Sequence, residues 1–203
     1  MPRLELLRHA MTQGNLEGRW TGTTDQGLCP EGTALARRNA RPSGAIPRRV
    51  WVSPLRRCRE TAALLYPGAE QTPVPGLRET DFGPFENKNH RELAGNPLYE
   101  AWVKSVGTAP VPGLESRAQV LARAQAAFRP IARELSLSGT DGAIVTHGGV
   151  LMALCAAFVK PERDYAQWWV PCCGGWLLDL EDWEQTERLS VIQEILPEKE
   201  KDR

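Results

Sequence analysis

A chain of 203 residues, 41% hydrophobic and 25% charged, is long enough to bury a substantial core and has the composition of a globular protein rather than a disordered or fibrous one. Its 25 basic and 25 acidic residues cancel, which argues against nucleic acid as a partner, and the run Arg37, Arg38, Arg41, Arg48 and Arg49 reads as a solvated helix face. No apolar stretch approaches the length of a membrane span, and Met1-Pro2-Arg3 leads straight into a strand rather than a signal peptide, so a cytoplasmic protein with no membrane partner is expected.

In chain order, the first strand runs from about Leu4 to Arg8, and the polar, Gly-rich stretch from Thr12 to Cys29 reads as a loop. Pro30-Glu31-Gly32 opens a helix to about Asn39. Val50-Trp51-Val52 is a fully apolar strand, and Leu55, Cys58, Ala62 and Leu65 mark one face of the helix after it. Residues 67–112 hold many Pro and Gly and only short helical pieces, one near Pro97 to Ser105. The longest helix runs from about Glu115 to Leu135, with Pro130 predicting a kink or break. Gly142 to Thr146 is the next buried strand and Val150 to Phe158 a helix. Trp176 to Leu180 and Leu189 to Ile195 are two late strands joined by a polar turn, and the charged run Pro197 to Arg203 reads as a frayed tail. Strands alternating with helices predict an α/β fold with a mostly parallel sheet covered on both faces, here one domain over residues 1–203 with a loop-rich cap at about 80–112.

Two of these strands end in histidine: Arg8-His9 closes the first, and Thr146-His147-Gly148-Gly149 follows the apolar run Ala143-Ile144-Val145. Parallel strands that end this way bring two imidazoles to one edge of the sheet. Arg8 and Arg57 add planar, permanently charged forks, and together these groups describe a pocket for a doubly charged anion such as a phosphate monoester. A neutral imidazole can attack phosphorus if the oxygens are neutralised and the leaving oxygen receives a proton. His9, beside Arg8, is the expected nucleophile, and His147 is a third donor to the phosphate. Leu77-Arg78-Glu79-Thr80-Asp81-Phe82-Gly83 supplies the acid, with Glu79 as candidate and Asp81 as fallback. Thr12, Asn15 and Thr21 can add neutral donors.

The five Cys show no C-x-x-C spacing, and Cys172-Cys173 reads as two small apolar residues entering a strand rather than a redox pair. With only three His in the chain and two of them in the anion pocket, no metal and no cofactor are expected. His90 reads as a surface or helix-start residue. Tyr99, Trp102, Trp168 and Trp169 read as core or interface aromatics, with a substrate cleft as the alternative. Trp176 and Leu178 suit internal packing or a dimer contact equally, so a monomer and a homodimer both stay open.

Five segments in order carry a family resemblance: Leu7-Arg8-His9-Ala10-Met11-Thr12-Gln13-Gly14-Asn15; Ser53-Pro54-Leu55 with Arg57, Thr61 and Ala62; Leu77 with Glu79, Asp81, Phe82 and Gly83; Pro112-Gly113 with Glu115-Ser116; and Thr146-His147-Gly148-Gly149. The chain resembles the histidine phosphatase superfamily, in its phosphoglycerate mutase-like branch of small bacterial phosphatases, and the resemblance extends to α-ribazole phosphatases. It implies a three-layer α/β/α sandwich and a metal-independent phosphatase. His9 would become the phosphohistidine, Arg8, Arg57 and His147 would bind the phosphoryl group, and Glu79 would act as proton donor and then as base toward water. Asn15 and the backbone N–H of Gly148 would be further phosphate contacts. Three positions depart from the family pattern. Ala10 replaces the usual Gly, which requires a negative φ, Met11 replaces a common Glu or Gln, and Asn87 replaces a Gly after Glu86. The short segment 84–112, with only Lys88, Arg91 and Lys104 as basic residues, favours a phosphatase over a phosphoglycerate mutase. A non-catalytic phosphate-binding module is the third reading.

Overall fold

The computed structural model describes residues 1–45 and 47–198, so most of the charged tail, 199–203, lies outside the described residues. The chain begins with β1 (Arg3–Arg8), α1 (Gln13–Leu16), α2 (Pro30–Arg38), β2 (Arg49–Val52), α3 (Arg56–Leu65) and β3 (Glu70–Pro73). It continues through α4 (Pro97–Lys104), α5 (Arg117–Ser138), β4 (Gly142–Thr146), α6 (Gly148–Phe158) and β5 (Val159–Lys160). It closes with β6 (Gly175–Asp179), α7 (Trp183–Thr186) and β7 (Leu189–Ile195). The seven strands form one sheet in the order β3-β2-β4-β1-β6-β7-β5. Only β6 runs against its neighbours; every other adjacent pair is parallel.

The period-two alternation of strand side chains, with both faces covered, explains why Val50-Trp51-Val52 of β2 and Ala143-Ile144-Val145 of β4 are apolar without a break and why β1 is interrupted by Glu5 alone between Leu4 and Leu7. Leu4 and Leu6 of β1, Trp51 of β2 and Ile144 of β4 point into a core shared with Phe128, Ile131 and Leu135 of α5 and Leu151 and Leu154 of α6. Leu7, Val50, Val52, Ala143 and Val145 point the other way, onto Cys58, Ala62 and Leu65 of α3. Two covered faces make the expected three layers. Trp176 and Leu178 are buried in the first of these cores, which settles them as internal packing.

Several elements differ from the sequence-based expectation, each for a physical reason. The edge strand β3 carries the segment Glu-Gln-Thr-Pro, half exposed and without an apolar signal, inside a stretch expected to hold only helical pieces. The supposed loop after Thr12 contains the single turn α1, closed by a capping box between Thr12 and Asn15. Pro130 neither ends nor breaks α5, which runs on to Ser138. Pro130 and Ala126, whose carbonyl loses its partner, both face solvent, where the freed carbonyl can be hydrated. The polar turn between the last two strands holds α7, anchored by buried Trp183, and Val159–Lys160 adds a two-residue strand. Arg41 is not simply solvated: its Nε and Nη2 both donate to Glu5 Oε2, at 2.9 and 2.7 Å, while Arg37, Arg38 and Arg48 are exposed as expected.

The segment expected as a cap carries a 3-10 turn at Gly83–Phe85 and helix α4, started by the Asn96 side chain. It has an aromatic cluster of its own, with Phe82, Phe85, Tyr99 and Trp102 packed beside Trp20. Asn87 has φ +57°, the left-handed region that Asn tolerates better than most residues, so the replacement of Gly there is accommodated. Ala10 is not among the residues with positive φ, and its methyl is fully buried without backbone strain. No helix of the described residues is long and apolar enough to cross a membrane.

Candidate active site

Parallel pairing of β1 with β4, with Arg8 opposite Thr146, brings the next residue of each strand to one sheet edge. The His9 amide donates to the Thr146 carbonyl at 2.9 Å, and the two imidazoles lie edge to face with centroids 5.1 Å apart. Both rings are almost fully buried. His9 Nδ1 is 2.7 Å from the Ala10 carbonyl, which can only accept, so Nδ1 carries the proton and Nε2 keeps its lone pair. Arg8 donates from Nη1 to the Val170 carbonyl at 3.0 Å, while its buried Nε–H has no protein partner among the described residues. The guanidinium lies against the first residue of α6: a side chain at Gly148 would start 3.5 Å from Arg8 Nε. An orphaned cationic N–H beside the positive end of a helix dipole is a site for an anion.

The second motif holds this edge together from behind. Arg57 is completely buried and donates from Nε to His147 Nδ1 at 3.2 Å, from Nη1 to the Thr24 carbonyl at 2.9 Å, and from Nη2 to the carbonyls of Thr21 and Gly22 at 3.1 and 2.9 Å. Because Arg57 can only donate, His147 is protonated on Nε2, and that N–H donates a hydrogen bond to Ser53 Oγ at 2.7 Å. Thr61 Oγ1 accepts from the Ala10 amide at 2.9 Å, fixing the residue after His9. The spacing of Ser53, Arg57 and Thr61 thus serves one task, to hold His147 and the chain beyond His9. Cys58 touches His147, but burial pushes its thiol up to about 12, so it is inert there.

The candidate acid, Glu79, is positioned by a separate set of contacts. Thr146 Oγ1 donates to the Leu77 carbonyl at 2.8 Å and ties the acid loop to β4. Arg123 of α5 donates to the carbonyls of Gly76 and Glu79, at 2.9 and 3.0 Å, and grips Glu115 at 2.6 and 2.8 Å. Glu79 Oε1 accepts from the Thr80 amide at 2.8 Å, and Oε2 accepts from the Gly149 amide at 3.2 Å. Glu86 accepts from the amides of Gly22 and Thr24 and binds the loop that Arg57 holds from its other side. A side chain at Gly149 would start 2.7 Å from Glu79 Oε1, so only glycine lets the carboxylate reach that amide. Gly149→Ala is therefore expected to cut turnover at least about tenfold by displacing Glu79 while the fold persists, a loss of roughly 1.4 kcal/mol in transition-state stabilisation. Steady-state kinetics beside a circular dichroism melt checks this, and unchanged kinetics would contradict it.

These groups border a cleft of about 580 Å³ between the sheet edge and the aromatic cluster. Of the residues singled out in the sequence, Arg8, His9, Asn15, Thr21, Glu79 and Gly148 line it. Arg57, His147 and Thr12 do not line it; they form the wall behind, and the only N–H of neutral His147 goes to Ser53 rather than into the cleft. The fallback acid Asp81 turns to the Gly83 amide instead. Tyr99, Trp102 and Trp169 line the cleft, whereas Trp168 is core. His90, exposed as expected, also borders it, with Nδ1 3.3 Å from the Tyr99 hydroxyl. Sequence reasoning missed Arg19, Arg117 and Tyr165, which lie outside its motifs or, for Arg117, one residue past the Glu115-Ser116 landmark.

The profile of the histidine phosphatase superfamily (branch 1) matches residues 4–189, nearly the whole chain and all five segments. The chain belongs to this superfamily. Among its relatives, a glucosyl-3-phosphoglycerate phosphatase of Mycobacterium tuberculosis is 33% identical, over 85% of this chain and 80% of that protein. A 2,3-bisphosphoglycerate-dependent phosphoglycerate mutase of Maricaulis maris is 26% identical over 90% of each chain. Among solved structures, the α-ribazole phosphatase of Shigella flexneri superposes with a TM-score of 0.79 at 25% identity, covering 97% of this chain and 96% of that one. A histidine phosphatase with such relatives is an enzyme of phosphate-ester hydrolysis or phosphoryl transfer.

In this histidine phosphatase, burial first, then the charge of Arg57, then that of Arg8, lowers the His9 pKa well below 6.5. Burial, again followed by Arg57, does the same at His147. Both rings are neutral at neutral pH, as a nucleophile and a hydrogen-bond acceptor must be. Below pH 6.5 the unfolded chain takes up a proton at each position and the folded chain does not, so stability is full above that pH and falls as the pH drops. Each histidine steepens the fall by up to about 1.4 kcal/mol per pH unit. Urea melts between pH 7 and 5 are expected to show a shallower slope for His9→Ala than for the wild type; equal slopes would contradict a buried neutral His9.

Proposed function

We propose that the chain hydrolyses a small-molecule phosphate monoester through a phosphohistidine on His9. One observation carries this reading: the Ala10 carbonyl accepts a hydrogen bond from the Nδ1–H of His9 and leaves Nε2 with its lone pair, in the cleft that also holds the unpartnered Nε–H of Arg8. A phosphate seated between Arg8, Asn15 and the Gly148 amide, the first of α6, presents its phosphorus to that lone pair. His9 Nε2 forms the P–N bond as the P–O bond to the leaving group breaks, and Glu79 gives its proton to the departing oxygen. Glu79 then takes a proton from water, which attacks phosphorus, breaks the P–N bond and releases inorganic phosphate. Arg57 and His147, one layer behind, keep the pocket in register. Aromatic walls from Trp20, Tyr99, Trp102 and Trp169 favour a leaving group with apolar faces.

Phosphoglycerate mutase chemistry shares the first half of this sequence and returns the phosphoryl group to a sugar-acid hydroxyl instead of water. The test runs both reactions side by side, with chelator present: phosphate release from p-nitrophenyl phosphate, and interconversion of 3- and 2-phosphoglycerate. Hydrolysis faster than interconversion is expected. Interconversion that outpaces phosphate release would overturn the assignment.

A further inference from the structure

We infer that Arg117 receives a second anionic group of the substrate, so that the preferred ester carries a carboxylate or a further phosphate on its leaving group. This rests on the phosphatase reading above and adds its specificity. Arg117 lines the cleft, half-buried, and its guanidinium stacks on Tyr165 with Cζ 3.5 Å from the ring centroid. Among the described residues it makes no ion pair and donates no hydrogen bond. The other charged groups of the cleft are committed. Arg19 is held by Glu17 and Glu92, Glu115 by Arg123, and Glu79 by the amides of Thr80 and Gly149. Arg8 is left for the scissile phosphate.

The position of Arg117 is also electrostatically unfavourable for the fold alone. It is the first residue of α5, a helix of 22 residues, where the positive end of the dipole repels a cation. A charge placed against its local field, with an aromatic ring but no anion beside it, at the wall of a binding cleft is a cost that a bound anion relieves. The stacking partner gives the direction. The Tyr165 hydroxyl donates to the Gly149 carbonyl at 3.1 Å, and the Gly149 amide binds Glu79, so Tyr165 and Gly149 connect the free guanidinium to the acid. A leaving group with an anionic end extends from that acid toward Arg117 in the cleft that both residues line, where the planar fork can pair with it.

Three esters with one spacer test this: propyl phosphate, 3-(phosphonooxy)propanoate and propane-1,3-diyl bisphosphate. Binding is read by calorimetry on a His9→Ala background, with and without Arg117→Met, so that the result does not depend on turnover. The readout is the affinity ratio of each charged ester to propyl phosphate. A ratio of about ten or more that falls to near one with Arg117→Met is expected, and the ester with the higher ratio identifies carboxylate or phosphate as the group held. A ratio near one in the presence of Arg117, or a ratio that survives its removal, would overturn the inference. Failure of the phosphatase reading would show separately, as absence of phosphate release from all three esters by the wild-type enzyme.

Discussion

Replacement of His9 by alanine is expected to lower phosphate release from an aryl phosphate by about four orders of magnitude or more, since it removes the proposed nucleophile, which would act as one unit with the acid. The remaining phosphate site would then still bind ester without turning it over. The drop should appear in kcat rather than KM, with the circular dichroism spectrum unchanged. His9 is buried against His147 and, among the described residues, its ring is hydrogen-bonded to the Ala10 carbonyl alone, so its loss opens a small cavity at the sheet edge without stripping a network. Residual turnover above about one per cent would mean that another group attacks phosphorus, and the whole assignment of the cleft would have to be redrawn.

The second large effect is expected at Arg57, and it is one of stability as well as rate. Its guanidinium is fully buried and supplies hydrogen bonds to three loop carbonyls and to His147. Arg57→Ala strands those acceptors in the interior, and a loss of about 4 kcal/mol or more in urea unfolding is expected. Arg57→Lys keeps the charge but cannot serve acceptors on several sides at once, so it should recover only a minor part. Loss of the donor to Nδ1 also frees His147 to change tautomer, and removal of the Arg57 charge lets its pKa rise toward 6.5. A stability change under about 0.5 kcal/mol would show that Arg57 is not the strut described here.

Arg57 also shows what the sequence conceals. Its place in the motif was legible and its pairing with an anion was a sound chemical guess, yet burial was not legible. The carbonyls that occupy it belong to Thr21, Gly22 and Thr24, more than 30 residues away in a loop without periodicity. His147 was legible for the same reason as His9, a strand end, but the serine that accepts its hydrogen bond could only be found in three dimensions. The apolar strands β1, β2 and β4 announced themselves because both faces are covered, whereas the polar edge strand β3 carried no pattern to read. Arg117 and Tyr165 are joined across 48 positions by a stacking contact, which leaves no trace in composition or spacing.

A phosphohistidine on His9 can be trapped. The wild-type enzyme is mixed with radiolabelled aryl phosphate, quenched in alkaline denaturant within milliseconds, digested and mapped by mass spectrometry. A phosphoryl group on the peptide containing His9, stable in base, released by acid and absent from His9→Ala, is the predicted result. Label on another residue, or rapid turnover with no trapped label, would contradict it.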